Sequence, residues 1–357
     1  MMLCNRLFKQ LLLVPLSCCL AACGPNEKER MKISELTADM TTFCIGRHLV
    51  DVPKSFKPMN IAWPSNTFMP AGIDPQEAAQ MSAEVVDAVS SKEKFKLQVE
   101  KVLAENRLER VGMNTFPLLD HTEKISENEV LIRLWDDGLK KGGGYRETEI
   151  HKLSSGIYFF TRAKSYENDF PTKEKSLREF TSNISAYDVT KPAQPGLCLG
   201  PLLIGGSYGS EIINSFAFRS TDFPDILLSF DMSTHSRDSE TTLLQRANDP
   251  KNLLRIFDVS YSTVRKGKLQ VAGMNAEELL IKFSSKDREG NAHLEHKLMM
   301  ETYRPTPSPS KPTIEARLIT GQQGLDGTRH TSSLTDAEVT ALWDAVMKSI
   351  RLRPGAV

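Results

Sequence analysis

Gly205-Gly206-Ser207-Tyr208-Gly209 has the G-x-S-x-G spacing that places a serine on a sharp turn between a strand and a helix, open to a substrate carbonyl. Leu202-Leu203-Ile204 would supply the strand. The helix is missing: Ile212, Ile213, Phe216 and Phe218 lie among polar residues at strand-like density, so a glycine-rich hairpin accounts for the same pentapeptide. A hydrolase built on Ser207 would need Asp225 or Asp287, and His293 or His330, to complete a triad. His293-Leu294-Glu295-His296 raises metal binding but lacks the H-E-x-x-H spacing, and on a strand residues 293 and 296 point to opposite faces. Gly142-Gly143-Gly144 lacks the lysine and hydroxyl of a phosphate loop and reads as a turn. The sequence therefore predicts no catalytic residue, no metal site and no cofactor, with a serine hydrolase on Ser207 as the alternative.

The cysteines carry a different chemistry. Four of the six, Cys4, Cys18, Cys19 and Cys23, lie in or at the end of an N-terminal leader. Arg6 and Lys9 make its basic start, and Leu11 to Leu16 begins an apolar run too short and proline-marked to span a bilayer. Leu20-Ala21-Ala22-Cys23 has the form of a bacterial lipobox: small residues before the cut, then a sulfur able to form a thioether to diacylglycerol. Acyl chains there would anchor the protein, each buried methylene contributing about 0.8 kcal/mol. Gly24 stands where an aspartate would often signal inner-membrane retention, so the expected location is the periplasm, at the inner leaflet of the outer membrane. Cys44 and Cys198 remain as the only thiols of the folded body. In an oxidising compartment a lone pair of cysteines is expected to bridge, the alternative being two buried free thiols.

These cysteines also mark a repeat. Phe43-Cys44-Ile45-Gly46 and Leu197-Cys198-Leu199-Gly200 each open a segment that passes through alternating apolar and polar runs and ends in an amphipathic helix. A chain of 357 residues accommodates two ordinary domains. The expected organisation is a signal peptide over 1–22, a lipidated tether over 23–42 with a short helix from Ile33 to Met40, a domain over 43–187, a linker over 188–196 and a second domain over 197–357. The fold class is α+β: two similar domains, each an antiparallel β-meander sheet packed with helices. Asp74-Pro75 followed by Ala78, Met81, Val85 and Val89 predicts a helix, as do Phe95 to Leu103 and Thr172 to Ile184. In the second domain Thr241 to Arg246, Pro250 to Phe257 and a capped helix from Thr335 are expected, the last with Val339, Leu342, Trp343, Val346 and Ile350 inward. The 45 basic and 45 acidic residues balance, which argues against binding nucleic acid by phosphate neutralisation.

Phe43-Cys44-Ile45-Gly46-Arg47-His48-Leu49-Val50-Asp51-Val52-Pro53 resembles the opening of two-domain immunity lipoproteins that protect against type VI secretion lipase effectors. Ser333-Leu334-Thr335-Asp336, Leu342-Trp343-Asp344 and Ser349-Ile350-Arg351-Leu352-Arg353-Pro354 resemble their end. The resemblance implies a protein that binds and inhibits a cognate phospholipase in the periplasm, with the domains as jaws and the bridge setting their angle. A structural envelope lipoprotein is a further alternative. Two loops combine anchor-type side chains with charge and are the candidate partner-binding residues: Trp135, Asp136, Asp137, Lys140, Lys141 and Tyr145, then Met232, His235, Arg237 and Asp238.

Overall fold

The computed structural model describes residues 25–59, 67–70, 81–108, 116–135, 145–166, 169–188, 194–206, 208–234, 241–249, 261–286, 292–303, 308–321, 328 and 330–357. After helix α1 (Glu27–Ala38), the first half runs β1 (Met40–Gly46), β2 (His48–Pro53), β3 (Phe56–Pro58), β4 (Thr67–Pro70), β5 (Met81–Asp87), α2 (Lys92–Arg107), β6 (Leu119–Ser126), β7 (Glu129–Trp135), β8 (Tyr145–Ser154), β9 (Ile157–Tyr166), α3 (Phe170–Ser182) and β10 (Ile184–Ala186). The second half repeats the order: β11 (Leu197–Leu199), β12 (Leu202–Ile204), β13 (Tyr208–Ser220), β14 (Leu227–Ser233), α4 (Leu243–Asn248), β15 (Tyr261–Val271), β16 (Met274–Lys286), β17 (Ala292–Thr302), β18 (Thr313–Thr320), α5 (Asp336–Ser349) and β19 (Arg351–Leu352).

The sheets show how the copies meet. The long sheet has the order β15-β16-β17-β18-β14-β13-β4-β5-β9-β8-β7-β6, mirrored about the contact between β13 and β4. There β3 and β4 pair with successive parts of β13, at Pro58 opposite Phe218 and Thr67 opposite Ile212. The short sheet, β10-β12-β11-β1-β2-β19, is mirrored about β1 and β11. Each half lends its last strand to the other half's hairpin: Ile184 pairs with Ile204, and Arg351 with Leu49. The two halves thus share both sheets through main-chain hydrogen bonds.

The repeated Cys-x-Gly explains the hairpins. Gly46 and Gly200 both have φ of 58° and open two-residue loops, Gly46-Arg47 and Gly200-Pro201. A positive φ at the first loop position alone is the type II′ requirement that glycine meets without steric cost. Cys44 and Cys198, each two residues earlier, form a disulfide with Cα atoms 5.6 Å apart.

Three segments depart from the sequence-based expectation. Met81 to Val89 is not helical: β5 alternates buried Met81 and Ala83 with half-buried Ser82 and Glu84, and this period of two fits a strand beside β9. The expected helix from Thr172 stops at Ser182, because Ile184 is taken up as a strand partner of Ile204. The polar run read as tether is helical from Glu27, with Asn26 and Glu29 forming a capping box. That helix lies on α5: Leu36 is buried, and Lys32 Nζ donates to Ser333 O at 2.7 Å and lies 3.4 Å from Glu338. The helix expected at Pro250 to Phe257 lies outside the described residues. At the C-terminus Thr335 and Glu338 cap α5 as expected, and Trp343 is fully buried with its Nε1 donating to Glu278 at 3.0 Å.

Candidate binding cleft

Strand register builds one polar face in the first half. On β9, Ile157, Phe159 and Ala163 join the main core, so Tyr158, Phe160, Arg162 and Lys164 face the other way. Pairing aligns them with β8: His151 opposite Phe160, Glu149 opposite Arg162, Glu147 opposite Lys164. It sets Glu84 of β5 opposite Phe160. Helix α2, capped by Ser91, lays Phe95, Val99 and Leu103 over Ile132, Leu134, Leu153 and Tyr158 on this face. Beside that apolar contact the helix and the sheet leave a cleft of about 600 Å³.

A buried relay stiffens the floor. Glu149 accepts from His151 Nε2 at 2.8 Å and from Arg162 Nη2 at 2.7 Å, and His151 Nδ1 lies 2.7 Å from the Tyr158 hydroxyl. Burial pushes the Glu149 carboxyl upward, but the His151 hydrogen bond and the His151 and Arg162 charges outweigh it and leave the group below the usual carboxylate range. Burial, reinforced by the charges of Glu149 and Glu84, raises the Tyr158 phenol far above its ordinary value. The hydrogen bonds tie strands β8 and β9 together across the floor of the cleft. All three side chains are at most 5% exposed.

The cleft ends in an aromatic rim. Trp135 lines it. The Arg146 guanidinium stacks on the indole at 3.0 Å and is held by Asp120 at 3.2 Å. Tyr145 meets Tyr166 edge-to-face at 4.8 Å, and Tyr166 is 58% exposed. Tryptophan, tyrosine and arginine are the residues that dominate protein interfaces.

Of the expected partner-binding residues, Trp135 lines the end of the cleft, whereas Tyr145, the neighbour of its strand partner Arg146, projects from the other face of the sheet and packs on Tyr166. Met232 is a correction: it lies on the inward face of β14, 5% exposed in the main core, where it packs rather than meets a partner. Asp136, Asp137, Lys140, Lys141, His235, Arg237 and Asp238 lie outside the described residues, as do Cys23 and Ser207. The sequence reading missed Glu84, Gln98, Glu149, His151 and Arg162. Their signal was the alternation Glu147, Glu149, His151 on β8, which marks a strand face too polar for ordinary core.

Two of the other chemical candidates fall on or beside described elements. The turn at Gly205-Gly206 leads into strand β13, which is not the helix that a nucleophile elbow requires. His296 is fully buried, with Nε2 2.9 Å from Asp336 and Nδ1 2.9 Å from Thr320, a network that fixes the start of α5. No group of three or more metal-ligating side chains assembles among the described residues.

Residues 190–355 match the family described as Tle cognate immunity protein 4 C-terminal domain. Among solved structures, the chain is similar to a chain of the Tle4-Tli4 complex, with TM-score 0.62 and 18% identity over 89% of this chain and 99% of that one. It is similar to the apo immunity protein TplEi of T6SS from Pseudomonas aeruginosa, with TM-score 0.61 and 19% identity over 88% and 98% of the two chains. TplEi complexed with "L" peptide gives TM-score 0.59 and 20% identity over 89% and 99%. At such identities these structures share the fold. No curated protein sequence matches the chain.

Proposed function

We propose that this chain, whose residues 190–355 match the family described as Tle cognate immunity protein 4 C-terminal domain, binds a cognate type VI secretion lipase and inhibits it. The family match carries this reading. The local chemistry agrees with it: a rigid sheet presents a cleft and an aromatic rim, which suits recognition of another protein. Inhibition follows from steric occlusion, because a bound body of this size keeps lipid from the lipase active site. The protein works by binding and catalyses nothing itself.

The lipobox at Leu20-Ala21-Ala22-Cys23 supports export and lipid attachment at Cys23. The chain then waits in the periplasm, held at the inner leaflet of the outer membrane, where an injected lipase would act. Helix α1 starts at Glu27, so only a few residues separate the anchor from the folded body. Asp136, Asp137, Lys140, Lys141, His235, Arg237 and Asp238 join Trp135 and Tyr145 as the residues proposed to meet the lipase.

Co-purification with a candidate type VI lipase co-expressed in the same cells, with phospholipase activity assayed alongside, tests this. A stoichiometric complex with activity abolished is expected. No complex, together with lipid hydrolysis by this chain alone that disappears in Ser207→Ala, would replace inhibition with catalysis.

A further inference from the structure

The Cys44–Cys198 bond lies on the outward face of the short sheet. Ile45, Leu199 and Leu202 turn into the main core, so Cys44, Cys198 and Leu203 take the opposite face. A bond on that face would meet solvent, yet Cys44 is 4% exposed and Cys198 0%. Its cover comes from both edges of the sheet. Tyr187 follows β10 and Arg353 follows β19, the two edge strands. Tyr187 N donates to Pro201 O in the second hairpin loop at 2.7 Å, and Arg353 N donates to Arg47 O in the first at 2.8 Å. The two residues thus hold equivalent places in the two halves, and they meet: the Arg353 guanidinium lies 5.2 Å from the centre of the Tyr187 ring. Tyr187 packs on the cluster of Cys44, Cys198 and Leu203. Arg353 is itself buried, with Nη1 donating to Gln194 O at 2.6 Å and Nη2 to Gly196 O at 2.7 Å, two residues before Cys198. Ala356 completes the turn, its carbonyl accepting from Arg47 Nη1 and from Gly196 N. Leu352 and Val357 on either side of this turn are exposed.

We propose that Arg353 and Tyr187 form a clasp that gates thiol exchange at the Cys44–Cys198 bond, with a dithiol reductant as the reaction partner. With the clasp shut, the sulfurs are reached only when the whole body unfolds. Release of the C-terminal turn, a short segment at the end of the chain, exposes them in a folded molecule. A thiolate of the reductant then attacks Cys44 Sγ, the less covered sulfur. The S–S bond breaks, and its electron pair leaves on Cys198 Sγ, which takes a proton. The second thiol of the reductant displaces Cys44 from the mixed disulfide. The reductant ends as a disulfide, and the protein has gained two electrons and two protons. The C-terminal turn therefore sets how long the covalent tie between the halves survives, whatever partner the protein binds.

The experiment follows reduction by dithiothreitol of the full mature chain, carried as Cys23→Ser so that only the seam holds sulfur able to exchange. Thiols are trapped with iodoacetamide and counted by mass over a urea series below the unfolding transition, and the global stability of every variant is measured beside it. Reduction of the parent chain should track global unfolding and rise steeply with urea. Arg353→Ala and Tyr187→Ala should each be reduced at least about 10-fold faster than their own stability accounts for, since a charged hydrogen-bond pair or a cation–ring contact is lost. Their rates should be nearly independent of urea, because a local opening exposes little surface. Tyr187→Phe, which keeps the ring over the bond, should stay closed like the parent. Rates of both alanine variants that fall on the line set by global stability overturn the proposal. So does a parent chain reduced without urea as fast as Arg353→Ala. Two free thiols in the untreated parent would remove the bridge, and the proposal with it, while leaving the inhibitor reading standing.

Discussion

Cys44 and Cys198 are bonded across the seam between the two halves, 154 residues apart in sequence, at equivalent positions of two hairpins whose strands β1 and β11 pair directly. The bond closes a long loop, for which chain entropy gives at most about 5 kcal/mol. Among the described residues five strand pairings cross the same seam, β1 with β11, β2 with β19, β3 and β4 with β13, and β10 with β12, so the reduced protein should stay folded but weaker. Denaturant melts with and without reductant should differ by roughly 2–5 kcal/mol, and the Cys44→Ala/Cys198→Ala chain should match the reduced curve. Labelling of two free thiols in the unfolded, unreduced leaderless chain would remove the bridge from the account.

His48 gives the protein an acid sensitivity. It is 1% exposed, and neither ring nitrogen has a hydrogen-bond partner among the described residues. Burial, reinforced by the charge of Arg47, lowers its pKa from 6.5 to about 4. The unfolded chain therefore takes up the proton first. Stability from this group is complete above pH 6.5 and falls as pH drops toward 4, by about 3 kcal/mol across the window. Urea midpoints from pH 7 to pH 4 should show this slope in wild type and a flatter one in His48→Phe. Equal slopes would assign the acid loss to other groups.

Helix α1 should behave as part of the body. Leu36 is 5% exposed, and the Lys32 ammonium lies 5.1 Å from the centre of the Phe223 ring while bonding the start of α5. Leu36→Ala should lower stability by about 2 kcal/mol and open residues 25–38 to protease. A variant that melts like wild type would return this segment to the status of a tether.

How much of this was legible follows from particular residues. The duplication was visible because Cys-x-Gly recurs where a II′ turn needs glycine, and α5 because its capping box and apolar stripe are local signals. The strand β5 was hidden: Met81, Val85 and Val89 also fit helical spacing, and only pairing with β9 decides between the two periods. The mutual loan of β10 and β19 has no local signature, since strands of two or three residues acquire identity only from their partners. The cleft was illegible for a similar reason. Glu84, Gln98 and Glu149 come from three separate elements, and no spacing along the chain shows that register unites them.

Met232 and Trp135 were indistinguishable as loop-flanking anchors in sequence, and the fold separates them. Met232→Ala should lower stability by roughly 2–3 kcal/mol, the range for emptying a buried site, while folded molecules inhibit the lipase normally. Trp135→Ala should do the reverse. Its indole is stacked by Arg146 at the surface, an interaction of about 1 kcal/mol, so melting should shift little. Lipase binding should weaken at least about 10-fold if the rim carries a contact of the kind that dominates interfaces. Paired measurements of melting and inhibition on the two variants decide the matter: a Trp135 variant that inhibits at wild-type concentration would move the contact surface away from this rim, whatever its stability.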